Sequence, residues 1–220
     1  MIEIKSVDGS LIAAILDVKT VLQAVELICR RKTDLTRADL AGADLTRADL
    51  SVADLTGADL SVADLTGANL TRADLTKANL AGADLTKANL AGADLTRADL
   101  AEANLAGADL TKANLAGADL TRANLTRADL AGADMTGADL TGVNLAGANL
   151  AGADIDFASW PLWCGSKDAI IDERQSRQLL AHALQLAVAN GHVSASTDLV
   201  EFANGFHRIV SNEFPKIEFN

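Results

Sequence analysis

One interval governs this chain. From Thr33 to Phe157 an aliphatic residue returns at every fifth position, from Leu35 to Ile155, through 25 tandem pentads. That beat fits neither standard element. On an α-helix each step of five turns about 500°, so successive leucines would lie about 140° apart, and on a flat strand they would alternate faces. A chain that bends once per pentad keeps all of them inside. The expected form is a coil with one short extended segment and one turn per pentad, building flat walls around a narrow axis and stacking on the next coil about 4.8 Å away. A repeat of this length outranks any local motif.

Let i be the aliphatic position. Position i−2 is alanine except at Thr33 and Val143. It shares the inward face, where side chains from several walls converge and only a small residue fits. Position i−1 holds only Asp or Asn, which tolerate turn conformations and hydrogen-bond nearby backbone, so this slot reads as the corner. Position i+2 is Gly in twelve pentads and Arg or Lys in nine, and Val52, Val62 and Glu102 share it. The mixture reads as a slot that does not demand a positive φ in every coil.

The flanks differ in kind. In residues 1–32, Ile2-Glu3-Ile4-Lys5 alternates apolar and charged, Asp8-Gly9 suits a hairpin turn, and Leu11 to Leu16 suits the return strand. Asp17 is placed to cap a helix whose apolar face is Val18, Val21, Leu22, Val25, Ile28 and Cys29, with Arg30, Arg31 and Lys32 at its C-terminal end. This module is expected to cap the first coil, because a solenoid end exposes its apolar interior. In residues 158–220 the beat stops at Ser159-Trp160-Pro161-Leu162-Trp163, rings suited to plugging the last coil. Asp172 and Asp198 then suit the starts of two helices, an α-helical C-terminal module able to pair two copies in a homodimer.

Alanine, then Asp or Asn, then leucine, in tandem over all 25 pentads, resembles the pentapeptide-repeat proteins. The resemblance implies an all-β solenoid, a right-handed quadrilateral parallel β-helix with four pentads per coil and the Leu and Ala positions pointing in. Spacing alone also allows three per coil. With four, residues 33–157 make a rod of roughly 30 Å. Leucine fills position i everywhere but Met135 and Ile155, a uniformity that reads as recent duplication or consensus design.

Four pentads per coil also sort the charges into columns. The column through Leu40, Leu60, Leu80, Leu100, Leu120 and Leu140 carries Asp39, Asp59, Asp99, Asp119, Asp139 and Glu102 against Arg122 alone. The column through Leu45 sets Asp44, Asp64 and Asp84 against Arg47, Lys87 and Arg127, which cancel. One wall is therefore expected to be acidic. Asp39, Asp59, Asp99, Glu102, Asp119 and Asp139 are the candidate partner-binding residues.

A formal charge of −11 argues against direct nucleic-acid binding, which needs a net basic surface, and favours neutral or basic protein partners. No apolar run is long enough for a membrane span or a signal core. The two cysteines, Cys29 and Cys164, read as free thiols of a reducing compartment, so the expected location is the cytoplasm. Cys164, His182, His192 and His207 match no metal-ligand spacing. Identical solvent-facing carboxylates lack the asymmetry that acid–base catalysis needs. The sequence thus points to a non-enzymatic acidic solenoid without cofactor or metal, acting as a structural scaffold or protein-interaction module. A second reading comes from the resemblance: several pentapeptide-repeat proteins mimic DNA and occupy the DNA-binding saddle of DNA gyrase, a type II topoisomerase. A rod near 30 Å is comparable to one duplex turn of about 34 Å.

Overall fold

Twenty residues separate each residue of the repeat from its hydrogen-bonded neighbour in the next coil. In the computed structural model, which describes residues 2–15, 20–30 and 35–159, parallel bridges pair Asp39 with Asp59, Asp44 with Asp64, Asp49 with Asn69 and Asp54 with Asp74. They continue without a break to Asp139 with Ser159. Four pentads therefore make one coil, and the coil has four walls.

Each pentad with a coil on both sides contributes the same set of backbone bonds. The i residue donates its N–H to the i−1 carbonyl one coil further on, as Leu60 does to Asn79 at 2.7 Å. The i+2 residue donates to the next coil's i+1 carbonyl, as Val62 does to Ala81 at 2.9 Å, and the i−1 residue donates back, as Asp59 does to the Ala38 carbonyl at 2.9 Å. A fourth bond closes the turn inside the pentad, from the Ala63 N–H to the Leu60 carbonyl at 3.1 Å. Most of the backbone's donors and acceptors are thus satisfied without a single long strand.

Inside, the leucine and alanine rows form the core. Every position i from Leu35 to Ile155 is at most 4% exposed, and Val143 fits the alanine row at 1%. At about 1.5–3 kcal/mol for each buried leucine, this row is the main stabilising term of the repeat. Ala43, in the first coil, is only half-buried.

The corners are not where the i−1 pattern suggested. Asp and Asn sit at the bridges in the middle of each wall, and the chain turns at i+1 and i+2. All of the i+2 residues have positive φ, from 49° at Val62 to 72° at Gly142. With the i-to-i+3 hydrogen bond, this is the type II pattern, whose third residue favours Gly. The expectation that i+2 needs no positive φ is therefore corrected. Thirteen non-glycine residues adopt the left-handed region here, Val52, Val62 and Glu102 among them, because the ladder on both sides fixes the turn. The local cost, about 1–2 kcal/mol per residue, is outweighed by the bonds and burial around it.

The N-terminal module is a hairpin and a helix, as its pattern indicated. β1 (Ile2–Lys5) pairs antiparallel with β2 (Leu11–Ile15), with an irregularity between Ile4 and Lys5. The hairpin joins the first coil directly. Ser6 bridges Ala38, the Asp39 N–H donates to the Lys5 carbonyl at 2.7 Å, and the Val7 N–H donates to the Arg37 carbonyl at 2.8 Å. An edge that could pair with another chain is covered on this wall. In the hairpin turn the Asp8 carboxyl accepts from the Ser6 hydroxyl and from the Ser10 N–H, with Arg37 at 3.6 Å. These bonds, the Ser6 hydroxyl first, hold it well below the usual carboxylate range.

Helix α1 (Val21–Arg30) buries Ala24, Val25 and Ile28. Its cap is Thr20, whose Oγ1 accepts the Gln23 N–H at 3.2 Å. The expected cap, Asp17, lies outside the described residues with Val18, Arg31 and Lys32. Thr20-Val21-Leu22-Gln23 has the spacing of a capping box, the signal that marks this start. Glu26 reaches the first coils, its Oε1 lying 3.4 Å from the Asp49 N–H. Burial, then the Asp49 and Glu26 carboxylates, push the Cys29 thiol up to about 11.

The coil also runs further than the sequence beat. Ala158 closes a turn on Ile155 and Ser159 takes an i−1 place, its N–H donating to the Ala138 carbonyl at 2.9 Å. Two compact units divide the chain, Met1–Ile171 and Asp172–Asn220, and all described residues belong to the first. The expected C-terminal helices, with Trp160, Trp163, Cys164, His182, His192 and His207, lie outside the described residues.

Candidate protein interface on the acidic wall

The i−1 side chain performs one local task throughout the repeat: its Oδ1 accepts the N–H of residue i+1, two positions on, and so braces the entry to the turn. Ser61 to Asp59 (2.9 Å), Ala101 to Asp99 (3.0 Å), Thr121 to Asp119 (2.9 Å) and Thr141 to Asp139 (2.9 Å) show it on the acidic wall. At the first coil Ala41 to Asp39 is longer, 3.4 Å. Asparagine does the same work with its amide oxygen, as in Ala81 to Asn79 at 3.1 Å. It also adds a bond that aspartate cannot. The Nδ2 groups of Asn69, Asn79, Asn104 and Asn149 donate to Asp49, Asp59, Asp84 and Asp129 one coil away, at 3.0–3.4 Å, and Asn124 donates to Asn104 at 3.0 Å.

The predicted residues come together. Asp39, Asp59, Asp99, Asp119 and Asp139 stack in one parallel ladder, with Asn79 between Asp59 and Asp99. Four are exposed and Asp59 is half-buried. Two exposed charges about 5 Å apart repel by about 0.8 kcal/mol in water, less in salt, so the column is tolerated at a small cost. At its C-terminal end the Ser159 hydroxyl donates to Asp139 at 2.5 Å. With the Thr141 hydroxyl and N–H, this holds the Asp139 carboxyl below its ordinary value.

Glu102 lies apart from that ladder, at the i+2 corner with φ 60°. Its Oε1 is 3.4 Å from Arg122 Nη1, and the two side chains are 67% and 77% exposed. Such a pair contributes about 0–1 kcal/mol. Both belong to a shallow groove along this corner, lined also by Val62, Ala81, Gly82, Ala101, Thr121 and Gly142. The column reading missed the groove. Its signal is the run of small residues at i+1 and i+2, Ala81-Gly82 and Ala101, beside bulkier corners.

The wall through Leu45 has the same backbone and a different charge. Asp44, Asp64 and Asp84 give way to Asn104, Asn124 and Asn144, with Arg47, Lys87 and Arg127 at its corners. Asp64 is held below its ordinary value by the N–H of Thr66 and then its hydroxyl. Among the described residues, no group of three or more His, Cys, Asp or Glu is placed to hold a metal ion. No helix there is long and apolar enough to cross a membrane.

A coil closed every twenty residues by four turns, with an aliphatic row inside and Asp or Asn at mid-wall, defines a quadrilateral parallel β-helix. The family model described as "Pentapeptide repeats" matches this chain in eight copies, over overlapping stretches from residues 33–72 to 128–159. The chain belongs to the pentapeptide-repeat family, whose coil is right-handed.

Solved structures of the same kind are similar to it. Rfr23 from the cyanobacterium Cyanothece 51142 is 40% identical, the match covering 47% of this chain and 64% of that one, with a TM-score of 0.39. HetL from Nostoc sp. strain PCC 7120, described as involved in heterocyst differentiation regulation, is 42% identical over 60% of this chain and 69% of its own, with a TM-score of 0.33. QnrB1, described as a plasmid-mediated fluoroquinolone resistance protein, is 19% identical over 66% of this chain and 84% of its own, with a TM-score of 0.40. Among curated protein sequences there is no significant match.

Proposed function

We propose that this protein is a non-enzymatic acidic solenoid of the cytoplasm, a structural scaffold or protein-interaction module that meets a basic partner with the wall through Leu40. One observation carries the reading. The coil needs an oxygen acceptor at i−1, and asparagine supplies it while adding a bond to the preceding coil. Aspartate at Asp39, Asp59, Asp99, Asp119 and Asp139 therefore brings charge that the fold does not require. A stacked row of charges on a rigid support draws an oppositely charged partner and orients it.

The test compares the wild type with a variant in which these five become Asn. Immobilised wild type should retain partners that high salt releases and that the variant fails to retain. Equal recovery on both would remove the wall as the recognition surface. The second reading, mimicry of DNA at a type II topoisomerase, draws on the same column and on a rod length near one duplex turn. In a supercoiling assay with purified gyrase, a mimic inhibits the enzyme or antagonises a quinolone, and the five-Asn variant does not. No response from the wild type would eliminate that reading.

A further inference from the structure

We draw no further inference here: the strongest candidate, the edge of the first coil on the wall through Leu45, where Ala43 is half-buried and the Asp44 N–H has no partner among the described residues, carries nothing, because nothing in the structure shows what covers it.

Discussion

The walls through Leu40 and Leu45 share one backbone and differ in charge. Both bury a leucine row, both close their turns from the N–H of residue i+3, alanine except at Val143, to the leucine carbonyl, and both brace them with the Oδ1 of residue i−1. On the first wall that residue is aspartate in nearly every coil. On the second it changes to asparagine from Asn104 onward, and Asn124 bonds Asn104 across the coils. The fold accepts either residue and gains an extra bond from the amide. The shape therefore does not depend on which of the two residues stands at i−1, and the charge there can vary from wall to wall without changing the coil.

The largest effect should be blind to the wall. Leu100→Ala and Leu105→Ala, on the acidic and the neutral wall, each remove a fully buried side chain and should each cost about 2–5 kcal/mol in a chemical denaturation curve. A clear difference between them would mean that the two walls do not share one core.

Smaller effects should come from the corners. Val62→Gly relieves a β-branched residue at φ 49° and should stabilise by about 1–2 kcal/mol, raising the melting midpoint by several degrees. Gly82→Val should do the reverse, and more strongly, because its Cβ would lie 3.2 Å from Val62 Cγ1. A Val62→Gly protein that melts lower would show that the valine side chain holds its corner.

Acid should act on both walls, and least of all. The carboxyls of Asp139 and Asp64 have folded values below their ordinary ones. Their contribution is fully present above the unfolded value of about 3.9 and is lost as pH falls through the lower folded value. Asp139→Asn and Asp64→Asn should each flatten the acid limb of a stability–pH curve slightly. A variant whose loss of stability began well above pH 4 would contradict these assignments.

Much of this was legible in the chain. The five-residue beat fixes which side chains are inside, and the column arithmetic places Asp39, Asp59, Asp99, Asp119 and Asp139 on one wall once four pentads per coil are known. Two features were misread for physical reasons. Asp and Asn favour turns, so i−1 looked like a corner, although here the side chain braces a turn that begins two residues later. Val52, Val62 and Glu102 looked incompatible with a uniform positive φ, yet the ladder imposes one on every corner whatever the side chain. The end of the coil was hidden because Ser159 fills the Asp or Asn slot with a hydroxyl, which makes its own bond to Asp139. The groove was not visible from charge columns, since it arises from small residues two and three positions beyond the i−1 slot.

Thermal unfolding of the five-Asn variant, followed by circular dichroism beside the wild type, tests the separation of shape from charge most directly. Each substitution removes a repelling charge and keeps the Oδ1 acceptor, and only Asp139→Asn gives up the small stabilisation of a hydrogen-bonded carboxylate, so the spectrum should be unchanged and the midpoint within about two degrees of wild type or higher. A midpoint several degrees lower, or a lost β-helix spectrum, would show that the aspartates hold the coil together and are not free to serve a partner.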